Sequence, residues 1–140
     1  MDAPASRPPT SPPARPAARS LADLLAAEGA LPVRRALRLA ADVADAVAAA
    51  HARGVAYRGL HPDEVLVLPA AAGEPERAVV VGVEVPAGGT ARPTGDAGVA
   101  GAAVSPYTSP ERAAGGPATA QADVFAVGSV ALSMFIGGPP

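Results

Sequence analysis

A small α+β domain, mainly helical and carrying one short β-hairpin, is the fold this 140-residue sequence predicts. Three observations lead there. Ala36, Ala40, Val43, Val47 and Ala50 recur at three- and four-residue steps, the spacing of one face of a helix. Val65–Leu68 and Ala78–Val81 are short apolar runs rich in β-branched residues, parted by a Pro/Gly/Glu segment, which is the pattern of a hairpin. Val124–Ile136 is the longest apolar run; it is broken by Gly128, Ser129 and Ser133 and falls short of the ~20 residues a membrane span needs, so it reads as a buried helix.

Residues 1–19 mix Pro, Ala, Ser and Arg without any apolar period. Such a stretch buries too little surface to offset its ordering entropy, and it is predicted to lack structure. The folded unit is expected over 20–140. Ser20 and Asp23 have the form of a capping box, in which the hydroxyl accepts from a free helix-terminal N–H, so a short helix is expected over Leu21–Glu28. Gly29 can supply the turn that ends it, and Pro32 suits the start of the next helix. That helix carries Arg35, Arg38, Asp42 and Asp45 on its polar side, with Arg38 and Asp42 at pairing distance i,i+4, and should stop near Arg53 at Gly54. Residues 85–118 are rich in Gly, Pro and Thr and carry no period, so they read as one long loop. A last helix over 121–136, apolar on nearly all sides, should be buried on nearly all sides.

Composition excludes several functions. The formal charge of −2 offers no clustered basic face, so no nucleic-acid partner is expected. No cysteine occurs, which removes disulfides, thiolate catalysis and cysteine-based zinc sites. All eleven basic residues are arginine, and neither lysine nor asparagine occurs anywhere. With no signal-peptide pattern and no membrane-spanning run, the expected compartment is the cytoplasm. The core, built mostly from Ala and Val with two Phe and two Tyr, should be only marginally stable.

Three blocks then carry chemistry. The segment His51-Ala52-Arg53-Gly54-Val55-Ala56-Tyr57-Arg58-Gly59-Leu60-His61-Pro62-Asp63-Glu64-Val65-Leu66-Val67 resembles the pattern H-x-x-G-V-x-H-R-D-L-K-P-x-N-I-L-V. That pattern is the helix end, catalytic loop and following strand of bacterial Ser/Thr protein kinases, here the region 51–68. Tyr107-Thr108-Ser109-Pro110-Glu111-Arg112 resembles the A-P-E block that closes the activation segment, which makes 85–118 the matching loop. Asp123-Val124-Phe125-Ala126-Val127-Gly128 resembles the D-V-x-S-L-G opening of the central helix of the large lobe, and Gly137–Pro140 the T-G-x-x-P after it. The resemblance implies a truncated C-terminal lobe of a protein kinase, from about Ser20 to the end, without the small lobe, its Gly-rich nucleotide loop and its ATP-pairing lysine.

Phosphoryl transfer depends on a few charged groups that position and neutralise phosphates. Matched to the family pattern, most of them are replaced. Gly59 stands where the family has the aspartate that accepts the substrate hydroxyl proton, and a glycine side chain accepts nothing. His61 replaces the loop lysine and is largely neutral near its reference pKa of about 6.5. Glu64 replaces the magnesium-binding asparagine, the mildest change, since a carboxylate is also a hard oxygen ligand. Around Val81-Gly82-Val83-Glu84, where the D-F-G aspartate belongs, no register supplies an aspartate, and Glu84 is the nearest carboxylate. Glu64 and Glu84 are thus the candidate metal ligands. Gly95, Gly98 and Gly101 follow no strand and precede no lysine, so a phosphate-binding loop is not expected there.

The structural residues of the pattern survive. Asp123, by resemblance, would accept hydrogen bonds from catalytic-loop amides, Arg58 would pair with a phosphate on the activation segment, and Glu111 would meet an arginine in a later part of the lobe. Tyr57 would fill the slot of a packed histidine. Outside the motif, Asp123, Glu111 and Tyr57 would read as a helix cap, a solvated carboxylate and a core aromatic. The expected function is that of a catalytically inactive pseudokinase acting as a scaffold for an unnamed protein partner, without cofactor. On that reading Arg58 and the hydroxyls of Thr90, Thr94, Ser105 and Thr108 would be phospho-reading or phospho-acceptor elements, each hydroxyl otherwise reading as a solvated loop residue, and the Pro-rich N-terminal segment reads as low complexity, a linker or a ligand for a proline-reading module. A second reading keeps weak ATP and magnesium binding or phosphotransfer through Glu64 and Glu84. A third is a decayed gene product without an independent fold.

Overall fold

Two helices lying antiparallel and a hairpin laid beside them hold the core. The computed structural model describes residues 17–71, 73–89 and 105–140; the leader up to residue 16, Thr90, Thr94, Gly95, Gly98 and Gly101 lie outside the described residues. The chain enters as a two-residue strand β1, Arg19–Ser20, and turns directly into helix α1, Leu21–Glu28. Ser20 Oγ accepts a hydrogen bond from the Asp23 amide at 3.0 Å, and Gly29, at φ 72°, closes the helix by donating its amide hydrogen bond to the Leu25 carbonyl. Leu21, Leu24 and Leu25 are buried, each worth roughly 1.5–3 kcal/mol against full exposure. Arg19, expected in the unstructured leader, is instead paired with Val67 across an antiparallel ladder.

Helix α2, Val33–Ala52, turns Ala36, Leu39, Val43, Val47 and Ala50 inward. Leu39 joins the expected face, and Ala40 packs at its margin. The Arg38–Asp42 pair does not form. Asp42 Oδ2 accepts the Ala78 amide at 2.8 Å instead, because the hairpin lies against that side of α2. Gly54, at φ 75°, makes the turn after the helix.

Strands β2 (Val55–Tyr57), β3 (Val65–Leu68), β4 (Arg77–Val80) and β5 (Glu84–Pro86) form two small sheets. The first has the order β1-β3-β4, with Val65 opposite Val80 and Leu68 opposite Arg77. The second pairs β2 with β5, Tyr57 opposite Glu84. This second sheet corrects the expectation of one unbroken loop over 85–118, since Val85 and Pro86 are strand and Pro110–Ala113 is a short helix, α3. Three-residue strands lack the length to show a period, so their pairing is decided by tertiary contact.

The last helix, α4, runs Ala120–Ile136 behind a Thr119 cap and ends at Gly137 in the left-handed conformation. A methyl on Gly137 would fall 2.4 Å from the Ala30 nitrogen, so glycine is required both by φ and by the close approach of the α1–α2 turn. At that end the Leu31 amide donates to the Met134 carbonyl at 2.8 Å; at the other, His51 meets Asp123. Ala126, Val130, Ser133 and Met134 face the core. The opposite face does not follow the expectation of burial all round: Val124, Phe125, Leu132, Phe135 and Ile136 are exposed, Val124 at 64 %. No helix among the described residues is long and apolar enough to cross a membrane.

Candidate functional site

The loop from Tyr57 to Glu64 leaves β2, makes one 3-10 turn over Pro62–Glu64 and enters β3. Its backbone is held at three points. The Tyr57 amide donates to Asp123 Oδ2 at 2.9 Å. The Arg58 amide donates to the Val83 carbonyl at 2.7 Å, and the Arg58 carbonyl accepts from Arg112 Nη2 at 3.1 Å. Gly59 therefore sits in a fixed stretch of chain yet adds no functional group to it.

Asp123 lies in the first turn of α4 and is 3 % exposed. The same oxygen that takes the Tyr57 amide meets His51 Nε2 at 2.8 Å. Burial pushes the Asp123 carboxyl above the usual carboxylate range, opposed first by the His51 hydrogen bond and then by the Tyr57 amide. Arg112, on α3, is buried as well. It donates to the Gly116 carbonyl at 2.6 Å as well as to Arg58, and burial lowers its pKa because the charged form is desolvated. Glu111 beside it is exposed, and its carbonyl accepts the Gly116 amide.

Tyr57 is buried, and its hydroxyl is pushed up in pKa by burial first and by the Glu84 carboxylate second. A methyl on Gly82 would fall 3.1 Å from the Tyr57 ring and 3.3 Å from Glu64 Oε2, so the ring and the Glu64 carboxylate converge on that glycine. Glu84 is drawn to Arg53, whose Nη2 lies 2.6 Å from its carboxylate. Among the described residues no group of three or more His, Asp or Glu gathers to hold a metal.

On the other side of the loop, His61 Nδ1 lies 3.0 Å from Asp63 Oδ2, and the imidazole meets the Tyr107 ring edge to face at 4.5 Å. His61 and Tyr107 line an open cleft of about 410 Å³ with Leu25, Pro62, Ser105 and Pro139. The cleft is thus built by α1, the loop, the segment before α3 and the residues after α4. Tyr107 is buried, which raises its hydroxyl pKa.

The structure gathers Tyr57, Arg58 and Asp123 into one hydrogen-bonded unit and places His61 at the cleft, while Glu111 stays in solvent. Sequence reasoning missed His51 and Arg112 as members of that unit. His51 stood first in the H-x-x-G block and was the signal available; for Arg112, only its place beside Glu111 could have drawn attention.

The sequence that builds this loop and its buried aspartate anchor is related to the bacterial Ser/Thr protein kinases. It is 34 % identical over 121 residues to the serine/threonine-protein kinase PknD of Mycobacterium tuberculosis (strain ATCC 25618 / H37Rv) and 27 % identical over 118 residues to PknB of Mycobacterium leprae. It is 30 % identical over 118 residues to the probable serine/threonine-protein kinase pknA2 of Bifidobacterium longum. These alignments take in 84 %, 84 % and 81 % of this chain but 17 %, 18 % and 14 % of the relatives, so the chain spans less than a fifth of their length. No family model matches the chain.

Proposed function

We propose that the chain is a catalytically inactive, protein-kinase-like domain that acts as a protein-interaction or regulatory scaffold. The observation that carries this reading is Gly59: the loop around it is pinned by Asp123, Val83 and Arg112, and the position matched to the family's proton acceptor bears only hydrogen. A general base must reach the hydroxyl it deprotonates, and a pinned loop cannot bring a neighbour into that place without breaking these bonds. The pairing of Glu84 with Arg53 also works against a metal held by Glu64 and Glu84, because the carboxylate already neutralises a guanidinium. The cleft beside His61 and Tyr107, the loop hydroxyls and the surface of the helices are then the parts a protein partner would meet.

The test is a thermal-shift titration of the full chain with ATP, with and without magnesium or manganese. A ligand that binds only the folded state must raise the melting temperature. The scaffold reading expects a cooperative melt that ATP and metal leave unmoved. A metal-dependent rise would overturn it and support residual nucleotide binding through Glu64 and Glu84. Loss of any cooperative melt would overturn it in favour of a chain without an independent fold.

A further inference from the structure

Backbone parity along the hairpin leaves one strand edge open. In the β3–β4 ladder Val65 faces Val80 and Val67 faces Ala78, and one step beyond it the Val81 amide donates to the Glu64 carbonyl. Hydrogen-bonding direction alternates along an antiparallel pair, so Arg77 and Val79 turn their backbone groups toward β3 while Ala78 and Val80 turn theirs away. The Ala78 amide agrees with that parity, donating outward to Asp42 Oδ2. The Ala78 carbonyl and the Val80 amide and carbonyl point the same way and meet no protein partner among the described residues. An unpaired edge of this kind is a template for an added strand.

The edge forms one wall of an open cleft of about 420 Å³, and Asp42, Asp45 and Ala46 of α2 form the other. Asp45 is exposed and meets no cation among the described residues. Arg77 is the one basic residue among those lining the cleft, so two carboxylates outweigh a single guanidinium. A segment laid along β4 would find backbone partners on one side and negative charge on the other.

We infer that the β4 edge is a docking site for an extended, basic segment of a partner protein, which extends the sheet to β1-β3-β4-partner. The inference rests on the scaffold reading and names the kind of partner. Asp42 limits the contact, because it occupies the Ala78 amide and leaves only the Ala78 carbonyl and Val80 to pair. The added strand is therefore short, and attraction between its basic side chains and Asp45 supplies the selectivity.

The test titrates the isotope-labelled full chain at low salt with a short blocked peptide alternating arginine and threonine, and with its glutamate–threonine counterpart. The expected result is that only the arginine peptide binds, that the Val80 amide shifts and exchanges more slowly with solvent, and that Asp45→Lys weakens binding about tenfold or more. Asp45 is exposed, so the variant should keep the parent melting temperature; Asp45→Asn, which removes charge without reversing it, should lose less. Failure of the arginine peptide to bind, equal binding of the two peptides, or binding that leaves Val80 unmoved and ignores Asp45→Lys would overturn the inference. The two readings fail separately. A metal-dependent ATP shift sinks the scaffold reading whatever the peptide does, whereas a failed peptide titration in a chain indifferent to ATP removes the edge site alone.

Discussion

The Tyr57 amide and the Asp123 carboxylate, 66 residues apart in sequence, meet at 2.9 Å in the interior. Asp123 thereby fixes the start of the Tyr57–Glu64 loop from the first turn of α4, while His51 holds the same oxygen from the end of α2. Asp123→Ala would leave a buried amide and an imidazole without their acceptor. A loss of about 1–3 kcal/mol is expected, since a buried unsatisfied donor forfeits its desolvation cost. Urea unfolding midpoints measure it.

Asp123 also gives stability a pH dependence. Burial raises its folded pKa above the ordinary 3.8 by more than His51 and the Tyr57 amide lower it. The folded chain therefore holds this proton more tightly than the unfolded chain. That contribution is complete below the unfolded value and is lost as pH rises through the raised folded value. Asp123→Asn cannot titrate, so its urea midpoint should lack this decline while the parent shows it. Parallel curves for the two proteins would contradict the assignment.

Glu28 has the opposite sign. Arg35 first and Arg19 second hold its carboxyl below the ordinary 4.5. The stability it adds is present above that value and is lost as pH falls through the lowered folded value. Glu28 is largely exposed, so Glu28→Gln should cost only about 0.2–1 kcal/mol at neutral pH. In acid the difference from the parent should vanish. Unfolding midpoints on both sides of the transition decide it.

The outer face of α4 exposes Val124, Phe125, Leu132, Phe135 and Ile136, large apolar side chains of the kind that drive association. Phe125→Gln with Leu132→Gln should reduce self-association of the 140-residue chain, read by light scattering. Exposed positions contribute little to the fold, so the unfolding free energy should move by no more than about 0.5 kcal/mol per substitution. Unchanged scattering would show that this face is not what drives association.

Local sequence determined the elements that make their own case. The Ser20 cap and the leucines behind it specify α1; the three- and four-residue spacing from Ala36 to Ala50 specifies α2; two β-branched runs specify the hairpin of β3 and β4. In each, the signal repeats within a few residues, because side chains on one face of a helix or strand recur at a fixed step. The loop's residue order also stood in the sequence, since the H-x-x-G block, Gly59 and Asp123 are adjacent to elements of that kind.

Tertiary structure decided what depends on partners far along the chain. The β2–β5 pairing, the use of Asp42 on the Ala78 amide in place of Arg38, and the recruitment of His51 and Arg112 to the loop all join residues from elements that meet only once the chain is folded. The bare face of α4 belongs here too. A helix apolar all round announces that it can be buried, but which side finds cover is set by where α2 and β2 already lie, and among the described residues they cover one side.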